Sequence, residues 1–213
     1  MNFKAVIFDL DGLLIDTEPV WAKADIELLG KRGYVPTEQL FIKRMGTSNK
    51  QTMEIYKEQF GIKENTQALM DERLGIFTKL LKDDLSLMDG AMELLKALSK
   101  MKIKLAVATN GSYKNSINAI LQKLNIASFF ITVITGEEVN HPKPSPDIFL
   151  LAADKLNVPP SACLVLEDAP SGIEAAKRAG MVVYGVNKNK EIQGKLKPSG
   201  ADKVFSSLSE IKL

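Results

Sequence analysis

The sequence predicts an α/β protein: a doubly wound parallel sheet with an inserted all-helical domain. Two observations predict this class. From Gly90 onwards helices and apolar strands alternate strictly, which is the order of a parallel sheet covered by helices. Between residues 15 and 88 the pattern is helical throughout, which is too long for one ordinary crossover. We therefore expect a core formed by residues 1–14 and 89–213, and a helical cap domain formed by residues 15–88.

The first strand of the predicted core is followed at once by two carboxylates. Residues 5–8 are an unbroken apolar run, as in a strand buried on both faces of a sheet. Asp9 and Asp11 come next, and alternate residues of an extended chain share a face, so both side chains should project together at the strand end. Gly12 lets the chain turn away. These residues can also be a simple strand exit, because Asp and Gly are common in turns.

The inserted segment contains several helical stretches and no strand. Pro19 suits the first turn of a helix that continues to Leu29, and Gly30 and Gly33 follow it. Further helices are expected over residues 38–45, 48–60 and 66–82. We therefore expect this segment to form a small domain of its own.

Three strands of the predicted core end in polar residues. Later strands are expected at residues 103–108, 130–134, 163–166, 182–186 and 204–205. The polar strand ends are Asp9 with Asp11, Thr109 with Asn110, and Glu167 with Asp168. All strands of a parallel sheet end at one edge, and open α/β folds bind ligands there. We therefore expect these side chains to converge.

The converging charges predict a cation site. With Lys143 as the counter-charge, the four ionised carboxylates leave a net charge of about −3. This excess of negative charge requires a divalent cation. Carboxylate oxygens are ligands that suit Mg²⁺. With Lys143 and Thr109 such an edge can bind a phosphoryl group, and a free carboxylate can attack phosphorus. Taken singly, Thr109 can cap the helix of residues 112–124, Lys143 can be a surface lysine, and Glu167 and Asp168 can cap a helix.

The amino-acid composition excludes several classes of partner and metal site. The 213 residues are 45% hydrophobic and 25% charged, and a formal charge of +2 indicates no nucleic-acid or membrane partner. Cys163 has apolar neighbours and should fill the core, and one histidine, His141, cannot build a histidine-based zinc cluster. The N-terminal residues carry no basic, hydrophobic leader, so we expect a cytoplasmic protein.

The motifs together resemble those of a known family. They are Asp9-Leu10-Asp11-Gly12, Thr109-Asn110, Lys143-Pro144-Ser145-Pro146-Asp147, and Glu167-Asp168-Ala169-Pro170-Ser171-Gly172. In order and spacing this set resembles the haloacid dehalogenase (HAD) superfamily, in particular the branch that contains β-phosphoglucomutase and small sugar-phosphate phosphatases. The resemblance spans essentially the whole chain, including the helical (type C1) cap after the first motif.

The resemblance implies roles for individual residues. Asp9 would be the nucleophile and Asp11 the general acid/base. Mg²⁺ would be held by the Asp9 carboxylate, the Asp11 backbone carbonyl and Asp168, with Glu167 as a direct or supporting ligand. Thr109 and Lys143 would hold the phosphoryl oxygens, assisted by Asn110.

The cap residues bear on substrate choice. The resemblance implies that Trp21, Gly46, Thr47, Ser48 and Lys50 belong to the specificity region. In the mutase a histidine and an arginine of the cap serve the sugar and its second phosphate, whereas Trp21 and Asn49 stand at the matching positions here. This difference favours a phosphatase. Packing within the cap accounts at least as well for Trp21, and solvated surface charge accounts better for Lys50.

The sequence therefore predicts a Mg²⁺-dependent phosphatase that hydrolyses a small phosphorylated metabolite, such as a sugar phosphate, through an aspartyl-phosphate. A β-phosphoglucomutase-type isomerase is the first alternative. A signalling receiver domain is the second, although its phosphorylated aspartate lies mid-chain and it has no cap. A dehalogenase would not need Asp11 or a metal.

Overall fold

The chain divides into two compact units. The computed structural model describes residues 3–44, 47, 49–80, 85–111 and 114–212. One unit comprises Met1–Asp16 and Ser86–Leu213, and the other comprises Thr17–Leu85. The chain thus leaves the first unit after its first strand and returns to it about 70 residues later.

The second unit is built from helices. They are α1 (Glu18–Gly30), α2 (Glu38–Arg44), α3 (Asn49–Phe60) and α4 (Thr66–Leu80). Pro19 stands in the first turn of α1, where its missing N–H group costs no hydrogen bond. Gly33 and Gly61 have positive φ angles of 78° and 67° just beyond α1 and α3, a conformation that glycine adopts without strain.

An ionic cluster connects three of these helices. The Asp25 carboxylate of α1 is fully buried and accepts two hydrogen bonds from Arg73 of α4, from Nε at 2.6 Å and from Nη2 at 3.1 Å. Arg44 of α2 has its Nε 2.7 Å from the same carboxylate, and its Nη2 lies 2.7 Å from Glu18. A buried carboxylate is tolerated here because two guanidinium groups compensate its charge.

The first unit is a doubly wound parallel sheet, as the sequence predicts. Its strands are β1 (Ala5–Phe8), β2 (Lys104–Thr109), β3 (Thr132–Thr135), β4 (Cys163–Glu167), β5 (Val182–Val186) and β6 (Lys203–Phe205). They are all parallel, in the order β3-β2-β1-β4-β5-β6. The helices of this unit are α5 (Ala91–Lys100), α6 (Lys114–Lys123), α7 (Asp147–Leu156), α8 (Pro170–Arg178) and α9 (Lys190–Leu196).

The order of the strands places β1 at the switch point of the sheet. The chain adds β2 and β3 on one side of β1, then returns to add β4, β5 and β6 on the other. Ala5 is accordingly paired with Lys104 of β2 and with Cys163 of β4. The carboxyl ends of β1, β2 and β4 are therefore neighbours at the place where open α/β sheets bind ligands.

Burial on both faces explains why the strands read as continuous apolar runs. All four residues of β1 are buried, as are all five of β4. Helices α7 and α8 cover part of the sheet, with Ile148, Phe149 and Ile173 in the same core cluster as Ala5 and Ile7. Such a strand has no solvent face that would require polar residues.

The structure differs from the predicted elements in two places. Strand β3 begins at Thr132 rather than at residue 130, because a 3₁₀ turn over Ala127–Phe129 precedes it and the apolar run extends through that turn. Helix α9 was not predicted, because it is short, polar and interrupted by Gly194; the Asn189 side chain caps it by accepting from the N–H groups of Glu191 and Ile192. Within the described ranges, no helix is both long and apolar enough to span a membrane.

We predict that Cys163 does not react with thiol reagents in the native protein. It opens β4 with no exposed surface, and burial raises the pKa of its thiol to about 11, which leaves little reactive thiolate at neutral pH. An Ellman assay at neutral pH should detect no thiol before guanidinium chloride is added and one thiol per chain afterwards. Stoichiometric labelling of the native protein on mixing would contradict this placement.

Candidate active site

The two early aspartates lie just beyond the carboxyl end of β1. Strand β1 ends at Phe8, and the N–H of Asp9 continues its pairing by donating to Leu166 O at 3.0 Å. The chain then turns, since Ile15 N donates to Leu10 O at 3.1 Å and Gly12 N donates to Ile15 O at 2.9 Å. Asp9 and Asp11 therefore lie in the turn that follows the strand, where Asp9 Oδ1 accepts from Lys143 Nζ and Asp11 Oδ2 accepts from Thr109 Oγ1.

Lys143 is the centre of the site. Its ammonium group donates to Asp9 Oδ1 at 2.6 Å, to Glu167 Oε2 at 2.7 Å and to the backbone oxygen of Ala108 at 3.0 Å. An ammonium has three N–H donors, so all of them are engaged. The side chain is 3% exposed, and the nitrogen also lies 4.8 Å from the centre of the Phe149 ring. Lys143 thus joins the ends of β1, β2 and β4.

Three carboxylates gather beside this lysine. Asp9, Glu167 and Asp168 each offer an oxygen within 4.8 Å of the others. Glu167 is the last residue of β4, and its Oε1 also accepts from the N–H of Ala169 at 3.3 Å. Fully ionised, the three carboxylates exceed the charge of Lys143 by two units, so the cluster has an excess of negative charge.

The excess negative charge and the burial of the cluster shift the pKa values of its members. Burial raises the pKa of Glu167, and the charge of Asp9 raises it further against the opposing effect of Lys143. Burial and the charges of Glu167 and Asp9 likewise raise the pKa of Asp168 well above its usual range. Burial alone would lower the pKa of Lys143, but the charges of Asp9 and Glu167 outweigh burial and raise it, so the ammonium stays protonated. An additional cation would relieve the repulsion among the carboxylates.

The donor set fits magnesium. It consists of carboxylate oxygens, which are hard ligands, and among the described residues the cluster includes no thiolate or imidazole. Asp9, Glu167 and Asp168 are the residues that could hold the ion. This is the site at which the sequence predicts Mg²⁺.

Two glycines allow the carboxylates to approach this closely. A Cβ at Gly12 would lie 2.5 Å from Asp168 Oδ2, and one at Gly172 would lie 2.0 Å from Glu167 Cδ. Gly12 also has a φ angle of +80°, which other residues rarely adopt. Both positions therefore need glycine if Asp168 and Glu167 are to keep their places.

The polar residues at the end of β2 occupy two different positions. Thr109 Oγ1 is buried and donates to Asp11 Oδ2 at 3.1 Å, while it accepts from the N–H of Gly111 at 3.0 Å. The Asn110 amide instead contacts the backbone of Lys143: Oδ1 accepts from Lys143 N at 3.0 Å, and Nδ2 donates to Lys143 O at 3.4 Å. Thr109 thus holds Asp11, and Asn110 holds the lysine segment.

The residues expected to set substrate choice belong to the helical unit. Trp21 stacks on Phe77 with ring centroids 3.6 Å apart, and the Arg73 guanidinium lies 4.3 Å from the Trp21 ring centre. Thr47 Oγ1 donates to Arg44 O at 2.7 Å and lies 2.9 Å from the Thr52 hydroxyl.

Lys50 is exposed and, with Lys57 and Lys63, lines an open cavity of about 580 Å³. Gly46 and Ser48, also expected to set substrate choice, lie outside the described residues.

Sequence reasoning missed two participants. The Ala108 carbonyl is a backbone group and leaves no mark in the sequence. Asn187 follows β5 and donates to the backbone oxygen of Asp168 at 3.1 Å. The reasoning about strand ends applies to β5 as well, so it could have found Asn187.

Comparisons with known proteins show which family and which relatives this chain is similar to. Residues 6–186 match the family model of the haloacid dehalogenase-like hydrolases. A phosphorylated carbohydrates phosphatase of Thermotoga maritima is 35% identical over 86% of this chain and 85% of its own length. A fructose-1-phosphate phosphatase of Escherichia coli is 33% identical over 84% and 94%. The crystal structure of a putative β-phosphoglucomutase from Thermotoga maritima superposes with a TM-score of 0.80 at 32% identity, over 97% and 95% of the two chains.

We predict that Gly12→Ala weakens magnesium binding, whereas Gly33→Ala does not. Both glycines have nearly the same φ angle, +80° and +78°, so each variant should lose about 1–2 kcal/mol of unfolding free energy. Only at position 12 does the new methyl group displace the Asp168 carboxylate, because nothing lies within 4 Å of a Cβ at Gly33.

The measurement is the rise in melting temperature with MgCl₂ concentration, which reports binding to the folded state. We expect the midpoint concentration to rise roughly tenfold for Gly12→Ala alone, as for loss of an oriented ligand. Equal magnesium dependence in the two variants would contradict the role of Gly12.

Proposed function

We propose that this chain, which belongs to the haloacid dehalogenase-like hydrolases, is a phosphatase that hydrolyses a small sugar phosphate with Mg²⁺ through an aspartyl-phosphate. One observation carries the proposal. A buried lysine joins Asp9 to Glu167 at 2.6 Å and 2.7 Å, with Asp168 beside them and Asp11 held by Thr109. This arrangement supplies a nucleophile, an acid/base, cationic charge and a cation site at one sheet edge.

Asp9 is the proposed nucleophile. An oxygen of its carboxylate attacks phosphorus, a new P–O bond forms, and the bond to the leaving alcohol oxygen breaks. The ion pair with Lys143 holds the carboxylate in one orientation. Orientation of a reacting group lowers the barrier because the entropy is lost before the reaction begins.

Asp11 is the proposed general acid and base. In the first step it gives its proton to the leaving oxygen, which departs as an alcohol. In the second step it takes a proton from water, whose oxygen attacks phosphorus and releases Asp9 with inorganic phosphate. The hydrogen bond from Thr109 at 3.1 Å keeps the Asp11 side chain at the site.

The phosphoryl oxygens would be held by Lys143 and Thr109. The three donors of Lys143 and the single hydroxyl donor of Thr109 are all engaged by protein acceptors, so at each residue a phosphoryl oxygen would take the place of one acceptor. Mg²⁺, held by Asp9, Asp168, the Asp11 carbonyl and Glu167 as a direct or supporting ligand, would supply positive charge that offsets the repulsion between phosphate and carboxylates.

The helical unit is the proposed cap, which sheds water and selects the leaving group. Trp21, Gly46, Thr47, Ser48 and Lys50 are its proposed specificity residues. The names of the two phosphatase relatives, which refer to phosphorylated carbohydrates and to fructose 1-phosphate, support a sugar phosphate as the substrate class.

A mutase activity is the second candidate, because one structural neighbour is named a putative β-phosphoglucomutase. Trp21 and Asn49 stand where the mutase has its sugar-binding histidine and arginine, which favours hydrolysis.

A screen of phosphate release from hexose, pentose, glycerol and nucleoside phosphates separates a phosphatase from a mutase. It should show hydrolysis that stops with chelator and returns with Mg²⁺. Conversion of β-glucose 1-phosphate without phosphate release would identify a mutase, and full activity in excess chelator would refute the metal.

We predict that Asp9→Asn and Asp11→Asn each abolish turnover without unfolding the protein. Asp9→Asn removes the nucleophile, and Asp11→Asn should cost about 10²–10⁴-fold because it removes proton transfer. Each change also lowers the excess negative charge, so thermal stability should not fall. Phosphate release and circular dichroism measure the two effects.

Asp154→Asn is the matched control for these two variants. It removes an exposed carboxylate from α7 in the same unit, so turnover should stay at the wild-type level. If Asp9→Asn retained wild-type turnover, the aspartyl-phosphate would be excluded.

We predict that Trp21→Phe and Thr47→Ala change the ranking of substrates more than the rate of the best one. Trp21 stacks on Phe77, and Trp21→Phe keeps an aromatic ring for this contact, so the helical unit should stay folded. The measurement is kcat/KM over the same set of esters. Val35→Ala, at a side chain that is 83% exposed in the same unit, is the control. An unchanged ranking in both variants would discredit the cap assignment.

A further inference from the structure

The backbone segment that carries Lys143 has few hydrogen-bond donors. Pro142 and Pro144 flank the lysine and have no N–H group, so Lys143 supplies the only backbone N–H donor of residues 142–144. That donor bonds to the Asn110 side chain, with Oδ1 as the acceptor at 3.0 Å. The orientation of the amide follows from this contact, since an N–H group requires an oxygen opposite it.

The Asn110 amide contacts the Lys143 backbone through both of its polar atoms. Its Nδ2 faces the Lys143 carbonyl at 3.4 Å, a longer and weaker contact than the first. The segment is further fixed by Arg178, whose Nη1 donates to Pro144 O at 2.9 Å, and by a turn in which Ser145 N donates to Pro142 O at 3.0 Å. The backbone of Lys143 is thus anchored at Asn110 and its ammonium is anchored at Asp9 and Glu167.

The backbone of Asn110 and Gly111, directly after β2, packs closely against Gly136. A Cβ at Gly136 would lie 2.7 Å from the Asn110 carbonyl oxygen, and Gly136 N donates to Gly111 O at 3.3 Å. Asn110 therefore connects the end of β2 to a lysine that comes 33 residues later.

We propose that Asn110 is a positioning residue that acts through Lys143, rather than a group that binds phosphate itself. The inference rests on the proposed function, in which Lys143 orients Asp9 and offsets the charge of phosphate. The sequence assigned Asn110 to the phosphate-binding set, but both polar atoms of its amide face the Lys143 backbone. Its contribution to the reaction is therefore to fix where the ammonium lies.

The proposal predicts two linked effects of Asn110→Ala. The Lys143 amide should exchange with solvent about five- to tenfold faster, as expected for the loss of one hydrogen bond. The value of kcat/KM for p-nitrophenyl phosphate and fructose 1-phosphate should fall about 10- to 100-fold, because small displacements of a catalytic group are costly. Asn110 is exposed, so its truncation leaves no cavity that would unfold the protein.

The experiment combines hydrogen exchange of the Lys143 amide, followed by ¹⁵N NMR, with steady-state kinetics on the same Mg²⁺-loaded samples. Asn110→Asp keeps an acceptor for the Lys143 N–H and should restore slow exchange. Asn65→Ala is the matched control: this asparagine also accepts from backbone N–H groups, those of Gln67 and Ala68, but in the helical unit. It should leave both measurements unchanged.

The two readouts separate the possible roles. A fall in kcat/KM with unchanged exchange at Lys143 would overturn the proposal, because Asn110 would then act on the phosphate directly. Faster exchange without a kinetic effect would also overturn it, since the position of the backbone would not matter. If the wild type releases no phosphate from these two esters or from any ester of the screen above, the proposed function fails and the positioning role with it, while the exchange measurement still reports whether Asn110 anchors Lys143.

Discussion

The buried ion pairs of Lys143 are the interaction on which the rest of the site depends. One ammonium group bonds to Asp9 after β1, to the Ala108 carbonyl in β2 and to Glu167 at the end of β4. It therefore connects three neighbouring strands at the switch point of the sheet. Removing this lysine would leave the buried charges of Asp9 and Glu167 uncompensated, a loss that typically costs about 3–5 kcal/mol. The group that orients the proposed nucleophile is for this reason also a structural element.

The two units show that a buried charge can have different consequences. In the helical unit the Asp25 carboxylate faces two guanidinium groups, and Arg44 is paired in turn with Glu18, so that cluster is balanced. In the α/β unit three carboxylates share one ammonium, and burial together with mutual repulsion raises the pKa values of Glu167 and Asp168. The first cluster needs no ligand for its charge, whereas the second is better suited to a state with a further cation.

Backbone geometry decides how close the charged groups come. Glycine at positions 12 and 172 leaves room for the carboxylates of Asp168 and Glu167, which larger residues would displace. Proline on both sides of Lys143 leaves that segment a single N–H donor, and the donor bonds to Asn110. Residues without reactive groups thus set the positions of those that have them.

The amino-acid sequence alone predicts the sheet, the helical insertion and the polar residues that meet at the edge of the sheet, because strand ends and apolar runs are local patterns. It did not determine helix α9 or the start of β3, whose polar or loop-spanning residues give no clear period. Three contacts emerge only from the folded chain: Asn110 faces the Lys143 backbone, Ala108 accepts from the Lys143 ammonium, and Asp11 pairs with Thr109. These contacts join residues far apart in the chain, and their geometry depends on loop paths and packing that no periodicity encodes.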